Sequence, residues 1–363
     1  MAEAKIEQGT EAQTISVDEF SSLLQKEFRP KSDRARQQVE VAVQTLAAQV
    51  LSDQDLILDD ATNSINALIA EIDLKLTQQI NHIIHHPDFQ KLEAAWRGLH
   101  YLVSHTETDE MLKIRFMPLS KQDLGKTIKK FKGTLWDQSP LFKKVYEQEY
   151  GQPGGEPYGC LVGDYHFSHS PQDVEILAGM AQIAAAAHAP FIAGGDPAVM
   201  QMDSWQELTN PRDLTKIFGT PEYAAWRSLR ESEDSRFIGL AMPRFLARLP
   251  YGAKTEPVEE FAFEEDMEGA DSKKYTWANS AYAMGVNINQ AFKAFGWCSR
   301  IRGIESGGAV EGLPVHTFPS DDGGVDMKCP TEIAISDRRE AELANCGMMP
   351  LIHRKNTDVA AFI

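Results

Sequence analysis

Apolar residues follow two rhythms along this chain, and the change comes near residue 110. Before it the spacing is helical. Val17, Phe20, Leu24 and Phe28 recur at three- and four-residue steps, with Leu23 beside them. Ser16-Val17-Asp18-Glu19 precedes that stripe as a capping box, the Ser hydroxyl and the Glu carboxylate each satisfying a free amide of the first turn. Pro30 stops the helix. About three turns are marginal alone in water, so this amphipathic segment requires a groove to lie in. A second helical stretch is expected over 31–51. A third, from about Ala61 to His86, carries Ile65, Leu68, Ile69, Ile72, Leu76, Ile80, Ile83 and Ile84 at the 3.6-residue period. Pro87 ends it, and Asp88 is the expected cap of the next helix, with Leu92, Trp96, Leu99 and Val103 facing inward.

Beyond residue 110 the period shortens. Leu112, Ile114 and Phe116 alternate with Lys113 and Arg115, the signature of a half-buried strand. Ser120 to Asp123 is another capping box, and Ser139-Pro140 opens a helix that Gly151 can close. Tyr158 to Val162 reads as a short strand, Ser170 to about His188 as a capped helix, and Phe191 to Ala193 as a strand running into Gly194-Gly195. Strand, helix, strand in that order predicts a βαβ unit with parallel pairing. Two short helices at Asn210-Pro211 and Thr220-Pro221, a buried strand over Phe237 to Met242 and a helix from about Trp277 to Phe295 follow. Strands and Gly-rich turns fill 301–335, and a short helix from Ser336 to Asn345 is closed by Gly347. The fold class is therefore α/β: a helical N-terminal third, then a mixed α/β region with βαβ units. Three segments result: 1–30 as a flexible tail plus short amphipathic helix, 31–110 as a helical region, and 111–363 as the α/β core.

Composition narrows the function classes. The 363 residues suffice for one large or two modest domains, and no run reaches the roughly 18 apolar residues of a membrane span. The start, Met1 to Thr14, lacks the basic and apolar regions of a secretory signal, so cytoplasmic residence is expected. A net charge of −17 opposes nucleic acid and anionic lipid. Glu256 to Asp271 holds eight acidic residues and no Lys or Arg, which predicts a solvated, mobile loop. The four cysteines, Cys160, Cys298, Cys329 and Cys346, form no CxxC pair and read as reduced, small buried hydrophobes.

Asp164, His166 and His169, with His188 further along, are the best metal candidates, since their spacing can gather ligands at one strand end. No third-ligand motif accompanies them, and a polar strand-to-helix turn accounts for them better. Ser168 and Ser170 lack a GxSxG elbow. Gly252-Ala253-Lys254-Thr255 lacks the upstream glycine of a phosphate loop. Asp321-Asp322-Gly323-Gly324-Val325-Asp326 lacks the ligand spacing of a calcium loop, and Gly303, Gly307, Gly308 and Gly312 do not form GxGxxG. No catalytic residue, metal or cofactor is assigned.

Three long stretches carry a resemblance: LVGDYHFSHSPQDVEILAGMAQIAAAAHAPFI over Leu161–Ile192, SRIRGIESGGAVEGLPVHTF over Ser299–Phe318, and KCPTEIAISDRREAELANCGMMPLIHRKNTDVAAF over Lys328–Phe362. Together with FQKLEAAWRGLHYLV at Phe89–Val103, they resemble the large subunit of the bacterial type VI secretion contractile sheath, the TssC/VipB family. The resemblance implies a structural protein and no enzyme. It implies assembly with the small sheath subunit (TssB/VipA family) and further copies of itself around a tube of Hcp, attachment to a baseplate, and recycling by the AAA+ ATPase ClpV. It implies β-strand exchange between neighbours. The ATPase of that family grips an N-terminal helix, and the groove-facing anchors would be Val17, Phe20, Leu24 and Phe28. Lys126, Lys129, Lys130 and Lys132 are candidates for tube contact. The family continues past the KNTDxAAF segment, so a C-terminally incomplete sheath core is expected. A phage-tail-like contractile particle and a metal-dependent hydrolase centred on Asp164 are the alternatives.

Overall fold

The computed structural model describes residues 41, 61–210, 213–259, 261–267, 271–319 and 323–363. Two compact units are distinct: Met1–Ile83 with Tyr251–Glu265, and Ile84–Pro250 with Asp266–Ile363. In the first, the described part is helix α1 (Ala61–Ile84), essentially as the apolar period predicts, and the loop that follows Tyr251. That loop departs from the solvated segment expected of its charge. Phe263 and Glu265 are buried, Glu265 accepts the Tyr251 amide at 2.9 Å, and Asn81 of α1 donates to the Glu264 carbonyl at 3.1 Å. Carboxylates that find backbone amides no longer need water.

The larger unit is built on a six-stranded sheet in the order β1-β2-β3-β9-β10-β6. Its strands are β1 (Leu161–Phe167), β2 (Phe191–Gly195), β3 (Ile238–Met242), β9 (Met349–His353), β10 (Ala360–Phe362) and β6 (Ala309–Val310). The first four run parallel, and β10 is antiparallel to both β9 and β6. Two short antiparallel pairs complete the strands: β4 (Phe245–Leu246) with β5 (Trp277–Ala278), and β7 (Thr317–Pro319) with β8 (Val325–Met327). The βαβ unit is present, with helix Pro171–Ala187 joining β1 to β2, but β1 begins three residues later than the sequence reading and runs five residues further. Asp164 and His166 interrupt the apolar run there, which hides the strand.

Alternation along the strands shows how the layers form. Phe191 and Ala193 of β2 and Leu240 and Met242 of β3 join one core; Ile192, Ala241 and Leu351 join the other. Successive strand residues point to opposite faces, so the sheet is sandwiched by helices on both sides. Helix Pro171–Ala187 covers one face, and helix Ser280–Phe295 covers the other. Both are apolar nearly all round, as buried helices are. Further helices in chain order are α2 (Pro87–Ser104) and α3 (Lys121–Lys130), so Pro171–Ala187 is α4. Leu214–Phe218 and Ala224–Glu231 are α5 and α6, Ser280–Phe295 is α7 and Asp337–Asn345 is α8.

Local chemistry sets the helix starts. Ser120, Ser139, Ser170, Asp213 and Asn279 each accept an amide of the turn they open. The cap of α2 is His86, whose Nδ1 accepts the Asp88 amide, with Pro87 at the first helical position. Pro87 thus begins α2, because its missing N–H costs nothing there. Inside the unit, α2 is tied down by a half-buried carboxylate: Glu93 Oε1 accepts from Arg248 Nε at 2.7 Å and Arg97 Nε at 2.8 Å, and Oε2 accepts from Thr276 at 3.0 Å. No helix among the described residues is long and apolar enough to cross a membrane.

Candidate functional site

The residues with metal-ligating chemistry do not converge. Asp164 and His166 lie on one side of β1, where Asp164 bonds Asn279 and Tyr282 of the α7 region. His169 donates from Nδ1 to the Ala198 carbonyl at 2.6 Å and stacks on the Tyr223 ring at 4.4 Å. His188 is the left-handed C-cap of α4, just ahead of β2, and β1 and β2 are parallel. It therefore sits at the end of the sheet opposite His169. Ser168 and Ser170 are both spent on the turn: Ser168 donates its amide and hydroxyl to Asp173, and Ser170 accepts the Asp173 amide. Lys121 pairs with the same carboxylate at 2.7 Å. Among the described residues, no group of three or more His, Cys, Asp or Glu is placed to hold a metal ion.

The other weak motifs resolve into turns. At Gly252-Ala253-Lys254-Thr255 the Ala253 amide is already given to the Glu264 carboxylate, an anion of this chain standing where a phosphate would have to be. Gly303 and Gly307 flank a single turn, Ile304–Ser306, with φ of 80° and 89°. The cysteines differ from the uniform buried set expected. Cys346 is buried, Cys160 and Cys329 are half-buried, and Cys298 is exposed.

What the larger unit does present is an apolar surface. The sequence period places Leu92, Trp96, Leu99 and Val103 inward; in the structure Leu92 is 57% exposed, Trp96 60% and Val103 49%, while Leu99 is half-buried. The inward face of α2 is instead the one bearing Glu93, Gly98 and Leu102. Gly98 lets α7 come so close that a methyl group there would lie 2.4 Å from the Tyr282 ring. Burying Glu93 with Arg248 and seating Tyr282 on Gly98 turns the larger apolar side chains outward.

The segment after α2 extends this surface. Residues 111–117 belong to no helix or strand and form no ladder with any described strand, against the half-buried strand expected. They are held by side chains: Arg115 pairs with Glu149 and with Glu156 at 2.7 Å, and Lys113 pairs with Glu156. With the charged residues so engaged, Phe116 is left 62% exposed, its ring 6.3 Å from that of Trp96. Leu99, Val103, Ile114 and Phe116 line a shallow hollow with Thr108, Asp109 and Lys113. Exposed apolar side chains grouped in this way mark contact surfaces.

The proposed anchors Val17, Phe20, Leu24 and Phe28 lie outside the described residues, as does the stretch 31–51 apart from Val41. Of the four lysines considered for tube contact, Lys126 pairs with Asp123 at 3.2 Å, Lys132 pairs with Glu175 at 2.6 Å, and Lys130 lies over the Phe131 ring. Lys129 is exposed on the same helix, whose Leu124 and Ile128 are its buried side.

Comparison with known proteins places this architecture. Residues 66–363 match the family described as VipB: EvpB/VC_A0108, tail sheath N-terminal domain. A relative from Pseudomonas aeruginosa, the type VI secretion system sheath protein TssC1, is 70% identical over the whole of this chain and 73% of its own length. Because the match runs through both faces of the sheet, α2 and its exposed apolar surface, the chain belongs to the VipB family of tail sheath proteins.

Proposed function

We propose that this protein is a structural subunit of the type VI secretion contractile sheath, which polymerises with the small sheath subunit around the Hcp tube and contracts to propel it. The observation that carries the reading is the 70% identity to a named sheath protein, sustained across all of this chain. At that level the packed core and its surfaces are shared, so the same assembly geometry is expected. The same name favours the secretion sheath over a phage-tail-like particle. The apolar surface of α2 and residues 111–117 fits a subunit whose work is done by contacts, and a non-enzymatic role follows from the family. Two alternative packings of one subunit set, the extended one held at higher free energy by assembly on the tube, supply the mechanical stroke.

The test is co-expression of the full-length protein with the small sheath subunit, followed by electron microscopy. Striated tubules are expected; two soluble proteins that never co-purify would overturn the reading.

Recycling by ClpV rests on the Ser16–Phe28 segment, whose capping box and apolar stripe suit helix-in-groove binding. Replacing Phe20 and Leu24 by Asp is expected to abolish ATPase pull-down while tubules still form. Retention of ClpV by that variant would remove Val17, Phe20, Leu24 and Phe28 as anchors.

A further inference from the structure

The methionines divide by place. Among the described residues most are buried or half-buried, and Met200 and Met242 are shielded from solvent almost completely. Within that set only Met111 and Met117 are exposed, at 79% and 42%, and both belong to the segment 111–117 that extends the apolar surface of α2. Met111 is the most exposed of all the large apolar side chains described.

Polar bonds that involve neither sulfur fix the backbone around both. Asp109 Oδ1 accepts the amides of Met111 at 2.7 Å and Leu112 at 2.8 Å, and Asp109 Oδ2 pairs with Lys293 at 2.6 Å. Further along, Lys113 and Arg115 are engaged by Glu149 and Glu156. Asp109 also lines the hollow with Val103 and Ile114, so the turn that presents Met111 forms part of its wall. Phe116, which precedes Met117, lines the same hollow. A soft, unbranched thioether suits such a contact surface, and it is also the group there that a mild oxidant can change.

Resting on the sheath reading above, we propose that Met111 and Met117 are sites of reversible oxidation on the unassembled subunit, through which peroxide weakens the contact made by this apolar surface. In the reaction, a lone pair on the thioether sulfur attacks one oxygen of hydrogen peroxide. The S–O bond forms as the O–O bond breaks. The departing hydroxide takes the proton of the new S–OH group and leaves as water. Sulfur is oxidised by two electrons, the peroxide is reduced, and a methionine sulfoxide reductase reverses the change.

Polarity supplies the consequence. In the free subunit both sulfoxides stay in water, and the polar bonds that hold the segment are untouched, so the fold is kept. Beneath a neighbouring subunit the same groups must give up water beside Leu99, Val103, Ile114 and Phe116, which offer no side-chain hydrogen bond in return. Oxidation therefore acts on the contact and not on the core.

The experiment treats the free full-length protein with hydrogen peroxide, maps oxidation by peptide mass spectrometry, and then adds the small sheath subunit and counts tubules by electron microscopy. Met111 and Met117 are expected to oxidise at least about tenfold faster than Met200 and Met242. Once both are oxidised, tubules should fall about fivefold or more while the melting temperature is nearly unchanged. Methionine sulfoxide reductase should restore them. The double variant Met111→Leu with Met117→Leu should assemble normally and keep its tubules after the same treatment. Oxidation of Met200 or Met242 first, or equal losses in wild type and the Leu variant, would overturn the proposal. Tubules that survive complete oxidation at both residues would overturn it alone; untreated protein that forms none would overturn the sheath reading and this consequence together.

Discussion

His166 holds its imidazole in β1 with Nε2 shielded from solvent and without a hydrogen-bond partner in the structure. It packs against Gly194 of β2, where a methyl group would lie 2.8 Å from its ring. Burial first, and the Arg244 guanidinium second, pull its pKa down to about 4, with Asp196 pulling the other way. The folded protein thus keeps this ring neutral, while the unfolded chain binds a proton near the usual 6.5. Between those values the unfolded state holds more protons, so stability is full above about pH 6.5 and falls as the pH drops through about 4. The loss attributable to this ring should approach about 3 kcal/mol. Urea unfolding of wild type and His166→Gln across that range checks it: the difference between the two should shrink or reverse on acidification. A constant difference would show that the ring is not held neutral.

At the scale of elements, glycine decides which face of α2 is inside. A Cβ at residue 98 would stand 2.4 Å from two carbons of the Tyr282 ring, so α2 and α7 meet through that missing side chain. Gly98→Ala is expected to cost about 1–3 kcal/mol through overpacking, even though alanine is the better helix former. Combining it with Tyr282→Ala should cost less than the sum of the two single changes, because the clash is then gone. Additive losses in urea unfolding would place the strain elsewhere. The same contact explains a misreading. An apolar period on a helix identifies a face, but a Gly–Tyr contact and the pairing of Glu93 with buried Arg248 outcompeted the larger residues for the inside. By contrast, α4 was legible almost to the residue, because Ser170, Asp173 and an unbroken apolar run leave one solution.

For the whole molecule, the proposed sheath role predicts that a neighbouring subunit covers the apolar surface left on α2 and 111–117. Trp96→Glu with Phe116→Glu should leave the melting temperature of the isolated protein nearly unchanged, since both rings are mostly exposed. Tubule formation with the small subunit should fall sharply, as counted by electron microscopy. Normal tubules from the double variant would free this surface from assembly.

By itself, the sequence determined the α/β class, the capped helices, the βαβ unit and the family, because these rest on local periods, turn chemistry and long unbroken likeness. The fold's strand order, with β9 beside β3 and β10 reversed, was left to tertiary structure. So were the inward face of α2 and the anchoring of Glu264 and Glu265. Each of these depends on which distant group wins a shared space or a shared hydrogen-bond donor, and no local pattern records that competition.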